Sequence, residues 1–446
     1  MIIENKHQLI DYLTESGKPA HDWRIGTEHE KFVFDLKTLK PVPYEGGNGI
    51  EAILSAFSTQ FGWSPVTEKD KIIALKKGQA MISLEPAGQL ELSGSPLQNI
   101  HQTCQETHDH LDQAREICSQ LGLGLLGMGF LPKWEREDMP WMPKGRYKIM
   151  RAYMPKKGKL GLDMMTRTST IQANLDYLDE KDMVRKFRVS LALQPIVTAL
   201  FANSPFANGK PSGYLSYRNH IWHHTDPDRT GFLPFVFDES FGFERYIDYA
   251  LDVPMYFVYR DGTYIDASGQ SFRDFLKGQL PALPGEKPLL KDWEDHITTL
   301  FPEVRLKKYL EMRGADGGPW RRICALPALW TGLLYSDAAF QEAEALVAQL
   351  SEEDIRLMYQ SVCKTGLQTQ VGKTTVLELA KRMLNIAARG LNHRQALNFK
   401  GETEEKYLWP LWQIVEAGQT LSEEMLCKYK GPWQGNIDHA YSEYAY

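Results

Sequence analysis

The stretch Arg24-Ile-Gly-Thr-Glu-His-Glu-Lys-Phe-Val-Phe-Asp35 decides the fold. Ile25, Phe32, Val33 and Phe34 supply β-favouring bulk and a turn-rich exit follows, so the segment reads as a strand. Along a strand, residues two apart face the same way. Glu28 and Glu30 therefore project from one face and Lys31 from the other. Paired carboxylates repel unless a cation lies between them. Mg²⁺ suits such a pair, because it takes oxygen ligands and also binds substrate phosphates. A solvated strand face is the competing reading of a lone Glu-x-Glu.

Three further stretches repeat the pattern. In Met81–Ser93, Glu85, Gln89 and Glu91 share one parity, and Ile82, Leu84, Leu90 and Leu92 share the other; Pro86–Gly88 predicts a bulge or bend within that strand. Gln172, Asn174 and Asp176 share a parity in Thr168–Tyr177, as do Glu311 and Arg313 in Tyr309–Gly314. Together they predict an antiparallel sheet whose concave face holds Mg²⁺ and a nucleoside triphosphate. The expected metal ligands are Glu28, Glu30, Glu85, Glu91 and Glu311, with Gln172 completing a shell. Arg313 either stabilises a transferring phosphoryl group or neutralises Glu311.

These stretches lie within longer runs: IGTEHEKF (25–32), DKIIALKKG (70–78), SLEPAGQLELSGSPL (83–97), GLDMMTRTSTIQANLDY (161–177) and FPEVRLKKYLEMRGADGGPWRR (301–322). In this order they closely resemble the plant-type glutamate–cysteine ligases, which also occur in many bacteria. The likeness runs from about Trp23 to about Tyr335. The resemblance implies an α+β fold: a curved antiparallel sheet similar to the glutamine synthetase catalytic domain, flanked by helices. It implies ATP-dependent coupling of the glutamate γ-carboxylate to the cysteine amine through a γ-glutamyl phosphate, the first step of glutathione biosynthesis. It also implies feedback inhibition by glutathione, and that Arg218 grips the glutamate α-carboxylate, a task suited to a bidentate guanidinium. A related ligase using a different amine is the alternative. Plant members carry redox-sensitive disulfides; the positions matching one such pair are Ala267 and Ala282 here.

Composition sets the outer limits. With 446 residues, 43% hydrophobic and 24% charged, the chain has the make-up of a soluble globular protein with length for a large core. A net charge of −6 argues against a nucleic-acid partner. The five cysteines are odd in number and include no Cys-x-x-Cys, so reduced thiols are expected. The N-terminal residues lack a signal-peptide pattern and no run approaches the ~18 apolar residues of a membrane span, which predicts a cytoplasmic location without membrane contact. A monomer or weak homodimer is expected.

Between Pro132 and Lys159 the chain turns basic, as a solvated face or as a mobile loop over a triphosphate. Lys133 as a catalytic cation and Arg146 and Arg151 as nucleotide-binding residues follow from the second reading. Asn174 joins them, and so does Arg321, which with Arg322 stands near a helix start where an anion or a surface salt bridge fits. His220, His223 and His224 lack the spacing of a zinc site. Leu121–Phe130 is Gly-rich without the ending of a P-loop and reads as a buried strand, with a nucleotide loop as the other reading. Helices are expected over 4–16, 48–62, 97–121 and 180–202, the last kinked at Pro195. The pattern predicts a catalytic sheet domain over 1–326 and a helical C-terminal lobe over 327–446 packed on it.

Overall fold

A computed structural model describes residues 1–446. Nine strands form the main sheet. They are β1 (Ile25–Asp35), β2 (Ser64–Glu68), β3 (Lys71–Lys77), β4 (Ala80–Leu84), β5 (Leu90–Ser93), β6 (Leu123–Leu126), β7 (Thr170–Leu175), β8 (Val304–Leu306) and β9 (Leu310–Asp316). The order is β8-β9-β7-β1-β5-β4-β3-β2, with β6 beside the far end of β1, and each pair is antiparallel. The expected α+β architecture, an antiparallel sheet flanked by helices, is what the chain adopts.

The acidic stretch lies at the centre. Thr27, His29 and Lys31 are buried on one face of β1, while Glu28 and Glu30 alternate with them. Register then fixes neighbours: Glu28 stands opposite Gln172 on β7 and Ser93 on β5, and Glu30 opposite Glu91. Across β7, Glu311 stands opposite Asn174. A bulge lies between Met312 and Ala315, at Gly314, where a Cβ would come within 2.5 Å of Glu303 Oε2.

Two strand expectations change. Met81–Ser93 is two strands, not one bent strand: Gly88, at φ +87°, closes a turn so that Met81 faces Ser93 and Ser83 faces Glu91. The β2–β3 hairpin was not expected, since its charged sequence carries little apolar alternation. The Gly-rich run supplies β6, where a Cβ on Gly124 would collide with the Phe34 ring; close packing is what its glycines permit.

Behind the acidic face, Lys31 Nζ meets His110 Nε2 at 2.9 Å, which places helix Ile100–Leu121 on the reverse side. A disulfide joins that helix to helix Trp320–Leu334 through Cys104 and Cys324, 220 residues apart in sequence. This corrects the expectation of five reduced thiols; Cys118, Cys363 and Cys427 are free. Two cysteines on separate helices carry no spacing signal, so sequence reading had nothing to pair.

Helix Glu180–Leu200 is buried nearly throughout and keeps Pro195 inside it. Helix Val376–Arg394 crosses helix Trp320–Leu334 at two glycines, where a Cβ on Gly390 would sit 1.8 Å from the Gly332 carbonyl oxygen. Position 327 falls within helix Trp320–Leu334, and one hydrophobic cluster runs from Ile3 to Val415. The C-terminal helices thus share their core with the sheet. No single helix is long and apolar enough to cross a membrane.

Candidate active site

A cavity of about 500 Å³ opens on the acidic face of the sheet. Glu28 and Glu30 enter from β1, Glu85 from the β4–β5 turn, Glu91 from β5 and Gln172 from β7. Also lining it are Arg313 from β9, Arg218 and Trp222 from helix Tyr217–His223, and Lys144, Arg146 and Tyr147 at the start of helix Gly145–Tyr153. Arg305 and Lys307 close one end.

Hydrogen bonds hold several of these groups. Asn174 Nδ2 donates to Glu28 at 2.9 Å, the Thr170 backbone N–H to Glu30 at 3.0 Å, and Ser93 Oγ to Glu91 at 2.7 Å. Arg313 donates to Gln172 at 2.6 Å and to Glu311 at 3.1 Å. Arg218 donates to the Arg313 carbonyl at 2.9 Å, which ties the two guanidinium groups into one frame.

Burial pushes the Glu28 carboxyl up to about 7, and the negative Glu311 adds to the shift. Burial likewise raises Glu30 well above the usual range, reinforced by Glu85, and raises Glu91 with help from the same neighbour. Glu85 is raised by burial although Lys144 and Arg146 oppose it. Burial first, and mutual repulsion after it, lifts all four carboxylates together.

Glu311 differs. Burial alone would raise it, but Arg305, Lys307 and Arg313 hold it well below the usual range. Its oxygens lie 2.5 Å from Arg305, 3.3 Å from Lys307 and 3.1 Å from Arg313. It does not line the cavity, and its charge is already matched. The expected metal ligand Glu311 is here an anchor for three cations, Arg313 among them.

The basic segment is ordered rather than a mobile loop. It folds into a 3-10 turn at Arg136–Asp138, helix Gly145–Tyr153 and a second turn at Met154–Lys156. Arg146, Tyr147 and Met150 line the cavity, whereas Arg151 is exposed and does not. Arg151 packs over the Trp141 ring at 4.3 Å. Lys133 pairs with Asp438 at 2.6 Å, outside the cavity. Asn174 reaches the site only through Glu28, and Arg321 lies apart between Trp320 and Trp409. Of the residues expected at the nucleotide, only Arg146 lines the cavity.

Lys144, Tyr147, Arg305 and Lys307 line the site without having been singled out. Lys144 was visible within the basic run, but its place at the helix start was not. Arg305 and Lys307 sit on and beside β8, which is too short for a sequence pattern. His220 stacks on Tyr214 at 4.1 Å and His223 packs on Tyr359 at 4.3 Å, aromatic contacts rather than ligation. Arg229 pairs with Asp226 at 2.7 Å.

No three His, Cys, Asp or Glu side chains come together in a group that could hold a metal ion by themselves. Mg²⁺ is usually held by one or two carboxylates together with waters and substrate phosphates, and an open acidic wall suits that arrangement.

Comparisons with known proteins point to one family. Residues 24–443 match the model of the glutamate–cysteine ligase family 2. The chain is 54% identical to a chloroplastic glutamate–cysteine ligase of Medicago truncatula over 441 residues, covering 99% of this chain and 85% of that one. It is 54% identical to the Arabidopsis thaliana enzyme, covering 99% and 83%, and 53% identical to the B enzyme of Oryza sativa subsp. japonica, covering 99% and 87%. A crystal structure of the Francisella tularensis glutamate–cysteine ligase shares the fold at a TM-score of 0.53 and 12% identity, over 94% of this chain and 87% of that one. These relatives also overturn the cytoplasmic expectation: the plant enzymes are named as chloroplastic, so the location read from the N-terminal residues does not stand.

Proposed function

Because the chain belongs to the glutamate–cysteine ligase family 2, we propose that the acidic cavity is where it activates glutamate and joins it to cysteine. The reaction is the ATP-dependent ligation of the glutamate γ-carboxylate to the cysteine amine, the first step of glutathione biosynthesis. The observation that carries the assignment to this cavity is its mixed lining: the carboxylates of Glu28, Glu30, Glu85 and Glu91 share one cavity with the guanidinium groups of Arg146, Arg218 and Arg313.

Free carboxylate oxygen is a poor leaving group, so ATP converts it to an acyl phosphate that the amine displaces. Catalysis then consists of alignment and charge cancellation. Glu28, Glu30, Glu85 and Glu91, with Gln172, would hold Mg²⁺. When bound, Mg²⁺ supplies charge neutralisation and a template for the phosphates. Arg313, fixed by Gln172 and Glu311, is set to meet the phosphoryl group that leaves ATP. Arg218, fixed by the Arg313 carbonyl, orients the glutamate α-carboxylate beside Trp222. Arg146 adds positive charge to the same cavity. Glutathione carries the same γ-glutamyl group and would compete for this cavity. A single body built of sheet and C-terminal helices is compatible with a monomer or weak homodimer.

The test is direct. With ATP, Mg²⁺ and glutamate, cysteine supports ADP release and γ-glutamylcysteine formation, while alanine and serine support far less. Equal turnover with another amine would replace cysteine as the substrate, and amine-independent phosphate release would remove the ligase reading.

A further inference from the structure

Across the sheet from the acidic face, two adjoining hollows take no part in the ligation. They measure about 440 and 540 Å³ and share Trp320, Arg321, Trp409 and Pro410. None of their lining residues lines the ligase cavity. Their common wall is the N-terminal turn of the 15-residue helix Trp320–Leu334, which has no side-chain cap and no acidic residue in its first turn.

Two guanidinium groups stand there without a salt bridge, and Glu405 lines the second hollow. Arg322 is only 6% exposed, donates one hydrogen bond to the Leu200 carbonyl at 3.1 Å and forms no salt bridge. Burial lowers its guanidinium to about 9, and the Glu424 charge opposes that shift. Glu424 also lines the hollow, but it is held by Lys428 at 2.7 Å and by Tyr444 at 3.1 Å. Arg321 lies between the indoles of Trp320 and Trp409, 5.3 and 5.4 Å from their centroids, and Trp409 is 50% exposed.

We propose that these hollows form a second ligand site, for a small molecule that joins a planar ring to a phosphate or carboxylate, the chemistry of a mononucleotide. The anion meets Arg321, Arg322 and the helix N-terminus, where backbone N–H groups and the helix dipole favour negative charge. The ring lies on the exposed Trp409 indole. The volume falls within the range of small-molecule pockets. A buried cation facing an open hollow is costly unless an anion completes it.

Equilibrium dialysis of the full chain with AMP tests this. EDTA is included, so that the acidic ligase cavity has no divalent cation to attract phosphate. The wild type is expected to bind about one AMP per chain. Arg321→Ala and Trp409→Ala are each expected to weaken binding about tenfold or more, the effect of one charge-assisted hydrogen bond or one stacking partner. Trp409→Ala keeps the wild-type ligation rate. Absence of AMP binding, or equal binding to all three chains, overturns the proposal. Adenosine or inorganic phosphate binding as tightly as AMP overturns the joined chemistry.

Discussion

Glu28 and Glu311 flank β7 with the same side chain, and their surroundings divide them. Three cations keep Glu311 ionised, while burial and that very charge lift Glu28 toward neutrality. Substitution separates the two roles. Glu85→Gln, which alters the open wall, lowers Mg²⁺-dependent turnover by about 100-fold or more and changes stability by less than about 1 kcal/mol. Glu311→Gln strands Arg305 and Lys307 and costs about 3–5 kcal/mol, visible as a lower urea midpoint. Parity made Glu28, Glu30 and Glu91 legible as neighbours. The matching of Glu311 was hidden, because Arg305 reaches it from an adjacent strand. Lys186 supplies a pH-dependent counterpart. Burial lowers its ammonium to about 8, against the pull of Asp182 at 2.8 Å. The unfolded chain keeps that proton up to the ordinary value of 10.5, so between about 8 and 10.5 it binds more protons than the folded chain and stability rises with pH. Wild-type stability relative to Lys186→Met should therefore rise by about 3 kcal/mol across that window, as denaturant unfolding at several pH values would show.

At the scale of elements, two helices owe their spacing to glycine. Gly332 and Gly390 let helix Trp320–Leu334 and helix Val376–Arg394 touch backbone to backbone. Gly390→Ala places a methyl against the Gly332 carbonyl and forces the helices apart, at a cost of about 1–3 kcal/mol in thermal or urea unfolding. Helix patterns were the most readable elements: 97–121 is observed as Ile100–Leu121, and 180–202 as Glu180–Leu200. Helix orientation was not readable. Arg146 and Arg151 look alike in a basic run, yet Arg146 lines the cavity and Arg151 packs over Trp141, a difference that no feature of the run foretells. The β4–β5 hairpin was hidden for a similar reason: one glycine at positive φ turns an apparent bend into a reversal.

For the whole molecule, the Cys104–Cys324 bond staples two helices behind the sheet and closes a loop of more than two hundred residues. Removing so long a constraint by Cys104→Ala is expected to lower stability by about 2–5 kcal/mol, measured against the wild type without and with reductant. The general sheet-plus-helices plan was legible because acidic parity recurs in separate strands and the family motifs run along most of the chain. Which C-terminal helix meets which neighbour was not, since hydrophobic patterning states which face is buried but not against what.

The sheet order has a consequence for how the protein is made. β1 leaves the ribosome first among the nine strands, yet its neighbour β7 begins at Thr170 and the next strand out, β9, begins at Leu310. Until Arg305 and Arg313 have been translated, the glutamates of β1 and β5 have no guanidinium from that side of the sheet. β1 is flanked once β7 ends at Leu175, but the outer edge of β7 then stays open until Leu310, so β7 is the strand most in need of shelter during synthesis, and closure of the acidic wall is among the last events of folding.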